Sequence, residues 1–179
     1  MRATSTLKAT ASVALVTLAL TLTTSAEPLP RGVQGSWRIT RVLPTKNNSC
    51  WTPEQAQDLI GTTLTYKEDT MSWRGGEIPL QGITTRQVSG DKFRTENTGS
   101  DGAADFDQLG IHTKSVLEVD MQHEDMDITG STTEVPGDSV LVASPNRIIV
   151  SACGVYLEAV RGAGAMVRAS VGTKRTTGR

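Results

Sequence analysis

Aromatic residues make up only 4% of this 179-residue chain, and it has just two Cys and two His. These scarcities narrow the chemistry. Zinc normally takes three or four well-spaced nitrogen and sulfur ligands, and the two Cys and two His show no such spacing. Ser is plentiful, but no Gly-x-Ser-x-Gly elbow is present to expose a nucleophile. The 17 glycines form neither a phosphate-cradling loop nor a dinucleotide fingerprint. Long apolar runs are also missing: the best, Ala11 to Leu22, falls short of the roughly 20 residues that span a bilayer comfortably. The residues point to no catalytic group, no cofactor and no metal, and the chain is read as a non-enzyme.

That one apolar run has informative flanks. Arg2 and Lys8 precede it, the small residues Thr24-Ser25-Ala26 follow it, and Glu27-Pro28 come next. A positive start, a short apolar centre and a small-residue exit describe a cleavable secretory signal over residues 1–26; an uncleaved N-terminal anchor is the alternative. No Cys follows the exit, which argues against a lipid-modified N-terminus. The expected location is therefore secreted or periplasmic, with no membrane span once the signal is removed. Residues 162–179 are rich in Gly, Ala, Ser, Thr and Arg without strand or helix periodicity, and read as a disordered basic tail. A single domain over residues 30–161 remains, a common size for one core.

Charge divides along the same boundaries. From Glu27 to Arg161 there are twelve Lys and Arg against 19 Asp and Glu, a net of −7, while the tail carries Arg168, Lys174, Arg175 and Arg179 with no acid. An acidic domain makes a poor electrostatic partner for nucleic acid. Cys50 and Cys153 both lie in the exported part, where an oxidising compartment favours pairing. A disulfide and two separate buried thiols are the two readings of that spacing.

Along the domain, β-branched residues and period-two alternation predict strands at 36–42, 62–67, 70–74, 82–88, 92–96, 116–122, 139–143, 147–152 and 154–159. In the first of them, Trp37, Ile39 and Arg41 are expected on one face and Arg38, Thr40 and Val42 on the other. Turns are expected at Glu68-Asp69, Gly75-Gly76 and Ser144-Pro145-Asn146, and Asn97 to Asp105 reads as a mobile loop. One short helix, Pro53 to Ile60, has a capping box at Thr52 and Gln55, Pro at its first position and Gly61 as a stop. The most apolar segments, Val140-Leu141-Val142 and Ile148-Ile149-Val150, are read as the heart of the sheet. Many short strands joined by polar turns suggest a barrel or a sandwich.

Gly35-Ser36-Trp37 is a Gly-x-Trp motif on the first strand of a small exported β domain, and Arg161 follows the terminal stretch Val155 to Val160. In these features the chain resembles the lipocalins and their calycin relatives. The stretches Cys50 to Gly61, Asp105 to Ile111 and Gly154 to Glu158 are similar to small secreted bacterial proteins of lipocalin-like type. The resemblance implies a mainly β fold: a small antiparallel up-and-down barrel of about eight strands with one short helix after the first. It also implies that Gly35, Trp37 and Arg161 close the barrel, the guanidinium over the indole, a contact worth about 0.5–2 kcal/mol. By this likeness the chain is expected to be an exported binding protein for a small apolar ligand.

Tyr66 and Trp73 alternate with polar residues on neighbouring strands and are the candidates for lining a pocket; ordinary core is the other reading. Trp51 beside Cys50 is placed against a disulfide or at the open end. His123 with Glu124, Asp125 and Asp127 is the only grouping suited to a hard cation, and reads more simply as a solvated acidic turn. The carboxylate pairs Asp105/Asp107 and Glu118/Asp120 are read as surface acids, not as a hydrolytic pair. Asn47-Asn48-Ser49 fits a glycosylation pattern. The second functional expectation is an extracytoplasmic protein partner, bound or inhibited through the loops at 97–105 and 123–127.

Overall fold

The computed structural model describes residues 27–45, 51–99, 102–123, 136–152 and 154–162. The proposed signal, the two cysteines, the Asn47-Asn48-Ser49 sequon, Glu124, Asp125, Asp127 and all of the tail beyond Gly162 lie outside the described residues.

Nine antiparallel strands form one curled, half-barrel sheet. They are β1 (Gly35–Val42), β2 (Thr63–Tyr66), β3 (Thr70–Trp73), β4 (Gly76–Pro79), β5 (Gly82–Ser89), β8 (Ser115–Gln122), β9 (Ser139–Ser144), β10 (Arg147–Ala152) and β11 (Val155–Arg161). The spatial order is β4-β3-β2-β1-β11-β10-β9-β8-β5. Strands therefore follow one another around the sheet in sequence order, and the first pairs with the last. β4 and β5 are its two edges, and among the described residues no ladder joins them. β6 (Thr98–Gly99) and β7 (Gly102–Ala103) form a separate two-stranded hairpin inside the segment expected to be a loop.

Local chemistry explains most elements. The helix α1 (Pro53–Gln57) starts on the predicted capping box: Thr52 Oγ1 accepts from the Gln55 amide, and Gln55 Oε1 accepts from the Thr52 amide. It is shorter than expected, because residues 58–61 tighten into turns that deliver the chain to β2. A second helix, α2 (Gly90–Glu96), replaces the strand predicted at 92–96. Ser89 caps it by accepting from the Lys92 amide, and its one buried residue is Phe93. A single buried side chain per two turns is a helical signature that reads as alternation over five residues. The predicted turn at Gly75-Gly76 lies one residue earlier, at Arg74-Gly75.

The first strand also departs from its predicted phase. Trp37 and Ile39 face inward, but a bulge lies between Ile39 and Arg41. Beyond it Arg41 sits opposite Glu158 and Val42 opposite Leu157, so Val42 joins the inner core and Arg41 turns outward. One extra residue reverses the alternation.

The sheet is buried along its whole inner face and, over part of its width, on its outer face as well. The inner cluster draws on every strand of the sheet and includes Trp37, Leu64, Tyr66, Met71, Trp73, Ile78, Val119, Val140, Ile148, Val150 and Leu157. Ala56 and Leu59 of the α1 region and Leu29 and Val33 of the N-terminal segment pack into it. The outer cluster lies on the opposite face of β5 and β8 to β11, where α2 and the segment 104–111 cover Val88, Val116, Leu141, Ile149 and Tyr156. The runs expected to be the heart of the sheet alternate between the two: Val140, Ile148 and Val150 inward, Leu141 and Ile149 outward.

Candidate functional site

The residues of the Gly-x-Trp motif meet the last strand directly. Trp37 pairs with Arg161 across β1 and β11, and the Arg161 guanidinium carbon lies 4.2 Å from the indole centroid. The same guanidinium donates to the carbonyls of Gln34 (2.9 Å), Gly32 (2.8 Å) and Pro145 (3.2 Å). Trp37 Nε1 donates to Val33 O at 2.6 Å. Gly35 is required here on two counts. Its φ is +118°, and a Cβ would come within 2.8 Å of Arg161 Nη1. The N-terminal segment is thereby strapped across the start of β1.

Tyr66 and Trp73, the pocket candidates, sit inside the inner cluster with 1% exposure each. Their polar atoms are already bonded: Tyr66 Oη donates to Gly137 O (3.0 Å) and Trp73 Nε1 donates to Thr62 Oγ1 (3.3 Å). Burial, with a smaller contribution from Asp138, raises the Tyr66 phenol far above its ordinary pKa, so it stays neutral and a donor. Their neighbours Trp37, Ile39, Leu64, Met71, Val119, Val140, Ile148, Val150 and Leu157 have 0% exposure. A side chain lining a water-sized void retains accessible surface, so these nine contact protein on all sides. Trp51, which was placed against a disulfide or the open end, packs half-buried on this same cluster.

A concavity lies outside the sheet. A groove of about 660 Å³ runs between the start of α2 and the segment 105–114, lined by Asp91, Arg94, Asp105, Phe106, His112 and Lys114 among others. Its walls are fixed by local bonds. Arg94 Nη2 donates to Asp91 Oδ1 at 3.0 Å. Asp105 and Gln108 exchange two bonds, Gln108 N to Asp105 Oδ1 (2.8 Å) and Asp105 N to Gln108 Oε1 (3.2 Å). Gly90 lets α2 approach the floor closely, since a Cβ there would stand 3.3 Å from the Phe106 ring. Phe106 and Phe93 pack with centroids 5.4 Å apart.

Arg147 ties this wall to the sheet. It donates to the carbonyls of Leu109 (2.6 Å) and Gly110 (3.1 Å), and to Glu158 Oε2 (2.6 Å). Glu158 also accepts from Arg41 (2.9 Å) and Thr40 (3.1 Å). Burial raises the Glu158 pKa, but the bonds from Arg147 and Arg41 outweigh it, and the carboxyl ends below its ordinary value. Sequence reasoning missed Arg147. The one available signal was a lone arginine opening the most apolar strand.

The remaining acidic candidates are dispersed. Glu118 is buried against Arg86 on the outer face (2.5 Å), which also pairs with Glu96, and does not pair with Asp120. Asp105 holds a turn, as above. His123 Nε2 lies 3.0 Å from Asp138 Oδ1. Among the described residues, no group of three or more His, Cys, Asp and Glu is placed to hold a metal ion, and no helix is long and apolar enough to cross a membrane. Comparison with protein-family models, with curated proteins and with solved structures returns no match.

Proposed function

We propose that this chain is an exported, non-enzymatic binding protein of lipocalin-like type, and that it engages an extracytoplasmic protein partner through its exterior. The observation that carries the reading is the filled inner face: Trp37, Tyr66 and Trp73 are 0–1% exposed and their polar atoms are bonded internally. An apolar ligand entering there would have to displace packed side chains, at a cost of about 1–3 kcal/mol for even modest overpacking. The outer groove offers instead a partly apolar floor and walls of both charge signs, which suits a polypeptide surface better than a lipid-like molecule. One wall is held by reciprocal Asp105–Gln108 bonds, and Arg147 anchors the chain behind it at Leu109 and Gly110, so little ordering entropy is lost on binding.

The test uses the purified exported protein. Charge reversal at Lys114 or Arg94 is expected to abolish association with the partner, while Lys67→Glu, outside the groove lining, retains it. Equal loss from all three would overturn the groove.

A small apolar ligand held by the curled sheet is the second reading, favoured by the pairing of the first strand with the last under the Trp37–Arg161 contact. It calls for saturable quenching of the buried tryptophans by a fatty acid or an apolar dye. Such quenching would replace the first reading with the second.

A further inference from the structure

The 17 residues after Gly162 carry Arg168, Lys174, Arg175 and Arg179 and no acid, and they follow a domain of net charge −7. The register of the sheet fixes where that segment leaves the domain. Gly162 N donates to Ser36 O at 2.8 Å, and Ser36 pairs with Thr65 of β2. β11 and β2 each run antiparallel to β1, so they run parallel to one another. The chain therefore leaves β11 heading for the end of the sheet where β2 turns into β3.

That end is acidic. The turn carries Glu68 and Asp69, both exposed. Among the described residues, neither carboxylate has an ion-pair or hydrogen-bond partner. Lys67 beside them is already paired with Glu77. Between the turn and the N-terminal segment lies a cavity of about 430 Å³, lined by Pro28, Leu29, Pro30 and Arg31 together with Gln34 and Glu68. Arg31 is the cation on that lining, one charge against the two of the turn.

We propose that the basic segment after Gly162 docks on its own domain and seats Arg168 at Glu68 and Asp69, over this cavity. The distances permit it. Glu68 lies two strands across from Gly162 and three residues further along, about 14 Å away at ~4.8 Å per strand and ~3.3 Å per residue. Arg168 is six residues beyond Gly162, a reach of about 20 Å. A planar guanidinium with five N–H donors can serve two neighbouring carboxylates at once. Tethering gives the segment an effective concentration on the order of millimolar, which a free partner would have to match. An anionic membrane would attract the segment but repel the acidic domain joined to it. The inference is independent of the groove and of the partner proposed above.

The experiment is amide chemical-shift mapping of the exported protein, residues 27–179, at low ionic strength. Arg168→Glu is expected to shift the amides of Glu68, Asp69, Arg31 and Gln34, and Glu68→Gln with Asp69→Asn is expected to shift that of Arg168, all with an unchanged Tm. Salt at about 1 M, where the Debye length is about 3 Å, should move the wild-type amides in the same direction as Arg168→Glu does. The contact should survive dilution and the addition of phosphatidylglycerol vesicles. No shift at Glu68 and Asp69 in Arg168→Glu, a contact that fades on dilution as one with a second copy would, or its loss to the vesicles would each overturn the proposal.

Discussion

Arg161→Ala is the perturbation whose cost can be built most completely from the structure. The wild-type guanidinium stacks on Trp37 at 4.2 Å and donates to three main-chain carbonyls, those of Gln34, Gly32 and Pro145. The stacking is worth about 0.5–2 kcal/mol. Hydrogen bonds of this kind contribute about 0.5–1.5 kcal/mol each, and acceptors close to solvent recover part of that from water. Taking the low end for each carbonyl gives a total loss of about 2–4 kcal/mol. The assay is equilibrium urea unfolding followed by tryptophan fluorescence, where an unchanged slope licenses conversion of the midpoint shift. At typical slopes a loss of ~3 kcal/mol moves the midpoint by roughly 1–3 M. Arg161→Lys retains the charge but not the planar fork, so it falls between the two. A double-mutant cycle with Trp37→Phe isolates the ring contact from the carbonyl bonds. If Arg161→Ala costs less than about 0.5 kcal/mol, the size of an ordinary surface change, the N-terminal segment is not held by this residue.

Gly35→Ala combines a left-handed backbone with a clash against Arg161 Nη1; a loss of about 1–3 kcal/mol is expected by calorimetry, and an unchanged Tm refutes it. Leu29, 2% exposed in the inner cluster, should cost about 2–5 kcal/mol on truncation to Ala, and circular dichroism of a chain starting after Val33 should report an unfolded protein. Glu158 has a lowered carboxyl pKa in the fold, so its contribution is complete above the unfolded value of about 4.3 and is lost as pH falls from there through the folded value. Glu158→Gln should flatten that acid limb of the stability curve, and a limb of unaltered steepness sinks the assignment. Cys50 and Cys153 are proposed to pair in the exported protein; closing a loop of roughly 100 residues contributes about 4–5 kcal/mol in the chain-entropy account, and intact mass after thiol alkylation under denaturing, non-reducing conditions should find neither sulfur free.

What was legible in the sequence was what local chemistry decides. Thr52 and Gln55 sit three residues apart and bond each other whatever the rest of the chain does, so that helix start could be read. The alternation in β8 to β11 was legible for the same reason. The phase of β1 was not, because its bulge is set by partners far along the chain: Thr40 bonds Glu158, 118 residues away. α2 was misread as a strand because its cap, Ser89, is also the last residue of β5. The role of Arg147 left no pattern at all, since its partners at Leu109 and Gly110 are carbonyls that every residue carries. The contact between Trp37 and Arg161 has no local signature either, as 124 residues separate the two in sequence.

The burial of β9 and β10 on both faces bears on function more than any single contact does. A soluble barrel that encloses a ligand has a lined inner face and a solvated outer face, so its strands alternate apolar with polar residues. Here β9 and β10 carry unbroken apolar runs because one face meets Trp37, Leu64 and Met71 while the other meets Phe93, Phe106 and Leu109. Continuous runs are what two-sided burial produces. Strands of this kind meet protein side chains on both faces. Binding would raise Tm by mass action, with the logarithm of ligand concentration over Kd. Emission of the buried Trp37 and Trp73, followed alongside that rise, separates exterior from interior binding: unchanged emission at saturation fits a scaffold that binds on its exterior, and quenching would mean that the inner face opens.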